Sequence, residues 1–429
     1  MNVSLAVLQG HVDAAAKAGD LAQALPALDS AMEAEPARTD VRLLRAMVLQ
    51  SLQRHRAALD ELDALLEMAP DTDSARFQRA LALFGQERLE AALEDFLSLT
   101  RRRPDTVEPW ANAGVILLRM DRFADAVPLL RQATQLSPGH LGLRRSLANA
   151  LVRAGGVDEA LGLYESVVAA TPRDTAALTD YAMALLGLGR ARDAHGHLLS
   201  ALRIDPSDQT ALAGLYLSAN ELGLGDVVDV LADYERLVWY GMPQLEAELD
   251  RTLLRDAVLG HPGLVWQPSG RSTHQGRQSP MLDLSPGSPF APFGALVQQL
   301  VTERLAALAA AAGLRDHPWV AGLPRRWRLQ AWCTILESGG RQTPHIHPAG
   351  RLSGVYYLDA GNPVDSAGAL VFGQPPDDVP AAASPRLHSV VPRAGYACCF
   401  PSYFFHHTEP FRGTQGPRIS LAFDVIPLA

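Results

Sequence analysis

The stretch VEPWANAGVILLRMDRFADAVPLLRQATQLSPGH, residues 107–140, recurs with variation through the first half of the chain. Pro36, Pro70, Pro104, Pro138, Pro172 and Pro206 each follow the last by 34 residues. Ala24, Ala58, Ala92, Ala126, Ala160 and Ala194 keep the same period. The pattern predicts two helices per unit. Small residues at Ala46, Ala80, Gly114, Ala148 and Ala182 let the first helix approach its neighbour closely, and the alanine series does the same for the second. The proline ends the second helix and sets the turn to the next unit.

This period resembles the tetratricopeptide repeat (TPR), with six full units over residues 5–208. In the quoted unit Trp110, Gly114, Ala126, Ala133 and Pro138 carry the resemblance. Residues 209–237, QTALAGLYLSANELGLGDVVDVLADYERL, keep helical periodicity but lose the small residues and the proline in register. They are expected to cap the apolar end of the array. The resemblance implies a right-handed α-solenoid over residues 1–240, with a concave surface that holds a peptide or partner protein. An inert scaffold or a dimerisation module is the competing reading.

Working outward, 429 residues exceed one ordinary domain, and 48% apolar content is ample for real cores. A net charge of -9 argues against general nucleic-acid binding. The runs Arg101-Arg102-Arg103 and Arg325-Arg326-Trp327-Arg328 are short and read as solvated faces. Lys17 is the only lysine, an arginine bias of the kind a GC-rich bacterial genome produces. Cys333, Cys398 and Cys399 cannot form a disulfide framework and read as buried thiols in a reducing cytosol. The N-terminus has no basic region before its apolar residues, and no apolar run approaches a bilayer span. The expectation is a soluble, cytoplasmic protein with no membrane partner. Oligomeric state is not legible.

After about residue 240 the composition changes. Residues 241–325 read as a connecting region, with one clear helix at 293–313 closed by Gly313. The polar segment STHQGRQSPML, 272–282, is either a loop over a site or a connector. Beyond Pro324 the runs RLQAWCTILE, LSGVYYLD, GALVFG, YACCFPS and RISLAFDVI alternate with turns. They predict an all-β sandwich or jelly roll over 326–429. The fold class is therefore α + β multidomain, an α-solenoid followed by a β domain.

Within that β domain, PHIHPAGRLSGVYYLD places His345 and His347 one residue apart just before a strand. On an extended chain they point to one side, as two ligands of a metal ion would. Sixty residues on, FPSYFFHHTEPF adds His406 and His407, which face opposite ways in a strand. Arg418 and Ser420 share one face of the last strand. A buried arginine needs an anion. The sequence offers no obvious carboxylate partner nearby, so a ligand carboxylate is a candidate.

Together, HIHPAGRLSGVYYL, GALVFG, FPSYFFHHTEPF and RISLAFDV resemble the non-haem Fe(II) and 2-oxoglutarate dependent oxygenases, which use a double-stranded β-helix. They are most similar to a bacterial branch with an LSGVYY strand and an FPSYF-x-H motif, often behind TPR units. The resemblance implies iron held by His345 and His406, the distal carboxylate of 2-oxoglutarate on Arg418 and Ser420, and a further contact from Tyr357. It implies a hydroxylase that couples decarboxylation of 2-oxoglutarate to attack on an unactivated C–H bond. Iron with three protein ligands on one face leaves positions open for the 2-oxo acid and O2, and Phe400, Phe404 and Phe405 offer an apolar wall.

The usual motif is His-x-Asp, and this chain has His345-x-His347. Three readings stay open: His347 replaces the carboxylate as third ligand, His347 ligates while His345 stands behind it, or the site holds no iron. The functional expectation is a dioxygenase acting on a protein or peptide recruited by the repeats. The alternatives are a silent cupin-like module, or a three-histidine dioxygenase that does not use 2-oxoglutarate. Histidines of the repeats, His195 and His197 among them, read as ordinary surface or satisfied residues, and Gln330 and Trp332 as wall residues of the first core strand.

Overall fold

The computed structural model describes residues 3–268, 270–377, 379, 383–413 and 416–428. It divides into two compact units, residues 1–167 and 168–429. No helix among the described residues is long and apolar enough to cross a membrane.

The first unit is built of antiparallel helix pairs. Leu5–Lys17 and Leu25–Ala34 are followed by Thr39–Ser51 with His55–Met68, Asp73–Gly85 with Leu89–Arg102, Val107–Arg119 with Phe123–Leu136, and Leu141–Ala154 with Val157–Ala170. The small residues behave as the period predicts: Ala46, Ala58, Ala80, Ala92, Ala126, Ala133, Ala148 and Ala160 are all fully buried. At Gly114 an added Cβ would lie 2.6 Å from Leu130 Cγ, so the close approach of the paired helices depends on its absence.

Two further features keep the 34-residue register. Arg42, Arg76 and Trp110 each reach back to the turn that the proline sets, donating to the carbonyls of Pro36, Pro70 and Pro104 at 3.0, 2.8 and 3.1 Å. A proline cannot donate, but its free carbonyl accepts, and the repeat uses it to fix the helix entry. The turn inside each pair requires a left-handed residue. Gly19 and Gly155 supply it at φ of 75° and 85°, while Gln53, Glu87 and Asp121 adopt φ of 60°, 60° and 55° at some cost. Arg45 bridges Asp29 and Glu61, and Arg79, one period on, bridges Asp63 and Asp95. These pairs are mostly part-exposed and secondary to the alanine packing.

The second unit holds the helices Thr175–Gly187, Ala191–Ile204 and Gln209–Glu221, the short helices Gly225–Leu231 and Tyr234–Leu237, and a sheet of ten strands. The strands are β1 (Trp239–Gly241), β2 (Val265–Trp266), β3 (Thr273–Gln278), β4 (Trp327–His345), β5 (Leu352–Asp359), β6 (Leu370–Phe372), β7 (His388–Val390), β8 (Ala397–Pro401), β9 (His406–Thr408) and β10 (Arg418–Pro427). The order is β1-β8-β5-β10-β4-β9-β6-β7, all antiparallel, with β3 joining β4 and β2 joining β3. The result is a nearly closed, barrel-like sheet of the jelly-roll kind. Four of its strands, β1, β2, β3 and β7, come from segments without a clear alternating pattern. The segment 272–282 is one of these: its centre is strand β3, neither a free loop nor a plain connector.

The glycine of LSGVYYLD has a packing reason. A Cβ on Gly354 would lie 2.2 Å from Phe423 Cζ, so β5 and β10 approach over a bare backbone. The helix Ala291–Ala310 buries Phe293, Leu296, Val297 and Leu300, and Phe293 packs 6.0 Å from Tyr356 on β5. Cys333, Cys398 and Cys399 are buried and free.

The segment 209–237 does more than cap. Helix Gln209–Glu221 is buried along almost its whole length. Its end and the short helices after it bond to the sheet's connections. Asn220 donates to Ser384 O, Tyr216 Oη accepts from Arg386 N–H, Tyr234 Oη donates to Arg386 O, and Tyr403 Oη donates to Leu231 O at 2.8 Å. A helix that packs on both sides can do without the repeat's small-residue pattern, which explains its loss.

Two substitutions test the repeat physics with opposite signs. Ala126→Leu overpacks a fully buried contact and should destabilise by about 1–3 kcal/mol. Gln53→Gly relieves a left-handed non-glycine residue and should stabilise by a few tenths to about 1 kcal/mol. Thermal unfolding of the full chain, followed by helical circular dichroism, measures both. A neutral Ala126→Leu or a destabilising Gln53→Gly contradicts the packing described.

Candidate metal centre

Antiparallel pairing of β4 with β9 puts His345 and His406 directly opposite each other. The chain then turns, and His347 swings back beside them. The ring centroids are 4.3 Å apart for His345 and His406, 5.1 Å for His345 and His347, and 5.0 Å for His347 and His406. One ring nitrogen from each lies within 4.8 Å of the others.

The other ring nitrogen of each is engaged. His345 Nδ1 bonds the Thr343 carbonyl at 2.7 Å, and His406 Nδ1 bonds the Phe404 carbonyl at 2.9 Å. His347 Nδ1 bonds Asp424 Oδ1 at 2.6 Å. A carbonyl or carboxylate can only accept, so each Nδ1 carries the proton and each Nε2 keeps its lone pair. Three imidazoles with Nδ1 engaged and Nε2 left as the donor atom, on adjacent elements, form a donor set suited to a transition metal.

Electrostatics favour the same protonation state. Burial, followed by the neighbouring His347, pushes His345 down to about 3. His406, only 5% exposed, is held well below the usual histidine range by burial and then by His345 and His347. Phe400 packs against His406 at 4.7 Å, and Phe372 packs on Phe400 at 4.9 Å, forming the apolar side of the site.

On β10, Arg418, Ser420, Ala422 and Asp424 alternate onto one face. Pairing aligns Ser420 with Tyr357 on β5 and with Thr334 on β4. Arg418 is 1% exposed, and its Nε and Nη1 have no hydrogen-bond partner. Tyr357 Oη and Thr334 Oγ1 are likewise buried and unpartnered. The guanidinium lies 5.0 Å from the Tyr357 ring centroid, and burial depresses its pKa. Unsatisfied buried donors of this kind are costly. Four such atoms on neighbouring strand positions fit an anionic group that would bond them.

A cleft of about 360 Å³ reaches His345 and His347 and is lined also by Arg271, Gln278, Gln330, Trp332 and Gln342. Trp332 packs 5.5 Å from His347, and Ser272 Oγ lies 3.5 Å from His345 Nε2, so the polar segment before β3 does border the site. A larger depression of about 690 Å³ beside Val364, Leu387, His388 and Arg412 touches none of the three histidines, so the smaller cleft is the one that bears on the chemistry.

The structure brings His345, His347 and His406 together and sets Arg418, Ser420 and Tyr357 on adjacent strands. His407 bonds Glu409 at 3.3 Å, and His388 packs on Tyr234 and Phe372; neither joins the cluster. His195 is satisfied by Ser218, and His197 packs on Tyr181. Sequence reasoning missed Asp424, Ser353 and Thr334. The signal for Asp424 was its place in LAFDVI, an acid within an apolar strand and in phase with Arg418.

The depressed histidine pKa values make stability pH-dependent. Unfolded, both rings titrate near 6.5, and folded they stay neutral to far lower pH. Between those values the unfolded chain binds more protons, so stability is full above about pH 6.5 and falls as pH drops below it. Urea midpoints of the metal-free protein should hold between pH 8 and 7 and fall from pH 6 to 4. In His406→Gln that slope should be shallower, by up to about 1.4 kcal/mol per pH unit. Equal slopes contradict the buried neutral ring.

Comparison with known proteins bears on both halves of the chain. Residues 330–424 match the family model described as "Putative 2OG-Fe(II) oxygenase", and residues 20–230 match the one described as "Coatomer epsilon subunit". No curated protein matches. Among solved structures the chain is similar to YrrB, described as a TPR protein with an unusual peptide-binding site. That match has 22% identity and a TM-score of 0.40, covering 43% of this chain and 96% of that one. It is also similar to a TPR protein from Parabacteroides merdae ATCC 43184, at 18% identity, TM-score 0.44, and 54% and 90% coverage. MamA from Desulfovibrio magneticus RS-1 matches at 15% identity, TM-score 0.36, and 38% and 93% coverage. The oxygenase match covers residues 330–424, the stretch that carries His345, His347, His406 and Arg418, and the helical repeats of the first half are TPR-like.

Proposed function

We propose that the protein is an Fe(II)- and 2-oxoglutarate-dependent dioxygenase that hydroxylates a protein or peptide brought to it by the repeats. The observation that carries the reading is the pairing of two sites in one sheet. One is a cluster of three imidazoles whose Nδ1 atoms are engaged and whose Nε2 atoms remain as donors. The other is a buried, unpartnered arginine on the strand that also carries Asp424.

In this reading His345, His347 and His406 hold the iron through Nε2. Arg418 anchors the distal carboxylate of 2-oxoglutarate, with Ser420, Tyr357 and Thr334 adding hydrogen bonds from the same rung of the sheet. With the metal and cosubstrate bound, O2 would be the oxidant: 2-oxoglutarate would go to succinate and CO2, with one oxygen atom entering succinate and the other converting a substrate C–H to C–OH. The chain's own part is to position and to exclude. Phe372 and Phe400 keep water from the His406 side. The cleft bordered by Arg271, Gln330 and Trp332 admits the substrate from the other. An open carboxylate site on Arg418 favours use of 2-oxoglutarate over a three-histidine chemistry without it. The peptide substrate class rests on the repeats, whose concave faces commonly hold extended peptides.

Arg418→Ala tests the cosubstrate half. It should weaken 2-oxoglutarate binding by about two orders of magnitude or more, as loss of a buried charge partner does. Iron content should stay near one per chain, because Arg418 is not a ligand. Calorimetry and metal analysis on the same preparation separate the two. Unchanged 2-oxoglutarate affinity in Arg418→Ala would sink the assignment, and so would succinate formation by the wild type that does not depend on added 2-oxoglutarate.

A further inference from the structure

The three imidazoles are not equivalent. Two donate Nδ1–H to neutral backbone carbonyls, those of Thr343 and Phe404. The third, His347, donates to a carboxylate. Asp424 is 8% exposed, so its charge is buried. Its Oδ1 accepts from His347 Nδ1 at 2.6 Å and from Ser353 Oγ at 2.7 Å. Ser353 in turn bonds Ser402 at 2.8 Å, and the Ser402 carbonyl accepts the backbone N–H of His347 at 3.0 Å. The ring is therefore pinned at its side chain and its backbone by one connected network.

The backbone is shaped around that network. A Cβ on Gly350 would lie 2.7 Å from Ser402 Oγ and 3.3 Å from Asp424 Cγ, so the turn carrying His347 passes over the network on a bare glycine. Burying an aspartate and two serines in an apolar sheet is costly unless they act together. No lysine or arginine is paired with Asp424 among the described residues; its carboxylate is bonded to His347 and Ser353.

We propose that Asp424 is a positioning residue for the metal centre. Through Nδ1 it fixes the tautomer and plane of His347 and makes its Nε2 a stronger, more anionic donor than those of His345 and His406. A carboxylate behind a ligating imidazole raises its basicity, and loss of such a partner typically costs 10–100-fold in metal affinity. Ser353 holds the carboxylate at the angle this requires. The inference rests on the metal-binding reading above and assigns the source of the site's negative charge within the chain.

Co(II) titration of the full-length protein, read by calorimetry and by the visible absorption of bound Co(II), tests it. Wild type should bind one Co(II) per chain. Asp424→Asn keeps shape and a carbonyl acceptor but removes the charge; it should bind about 10–100-fold more weakly and shift the Co(II) bands. Ser353→Ala leaves the carboxylate in place but loosens it, and should lose several-fold. If wild type binds no Co(II), the metal reading falls and this inference with it. If wild type binds but folded Asp424→Asn has the same affinity and spectrum, only the inference is overturned. Should Asp424→Asn fail to fold, Ser353→Ala decides: affinity and spectrum equal to wild type overturn the inference.

Discussion

Strand β4 is paired with β10 over residues 327–336 and with β9 at residues 342 and 345. That one ladder carries the sheet from one half of the barrel to the other. It fixes His345 opposite His406 and Thr334 opposite Ser420. A slip of one residue would turn every side chain on β4 to the wrong face. The histidine cluster and the arginine rung would be lost together. The strand's length, 19 residues, is therefore tied to the candidate site as well as to the fold.

The turns that present the histidines are held from outside the sheet. Arg351, four residues after His347, is 1% exposed and donates to the carbonyls of Ser207 and Trp319, while Trp319 Nε1 donates back to Arg351 O. Tyr403, three residues before His406, donates to Leu231 O. Both histidine-bearing segments are thus anchored to residues 207 and 231, among the helices at 175–237. A site assembled from loops alone would be loose; these bonds make it as rigid as the helix turns it is tied to.

The first half of the chain was readable because its information is local and repeated. A period of 34 residues fixes helix, turn and contact at once, and the buried alanines and reaching Arg42, Arg76 and Trp110 follow it. The left-handed turn residue was less visible, since Gln53, Glu87 and Asp121 occupy positions where glycine stands in other units. The short strands β1, β2, β3 and β7 were hidden for another reason. A strand of two to six residues is too short to show a period, and its pairing partner makes it a strand.

The sequence by itself determined the repeat, the class of the second domain, and the residues whose chemistry is unusual for their setting: paired histidines before a strand, a later histidine, an arginine in an apolar strand. Only the tertiary structure decided which of them share a space and what stands behind them. His347 and Asp424 are 77 residues apart, and Ser353 and Asp424 are 71 apart. Their contacts come from the register of β5 and β10, which no local pattern encodes. Asp424, Ser353 and Thr334 are ordinary polar residues in isolation. They become distinctive only when the closed sheet removes water and leaves each with a bond to make or a bond missing.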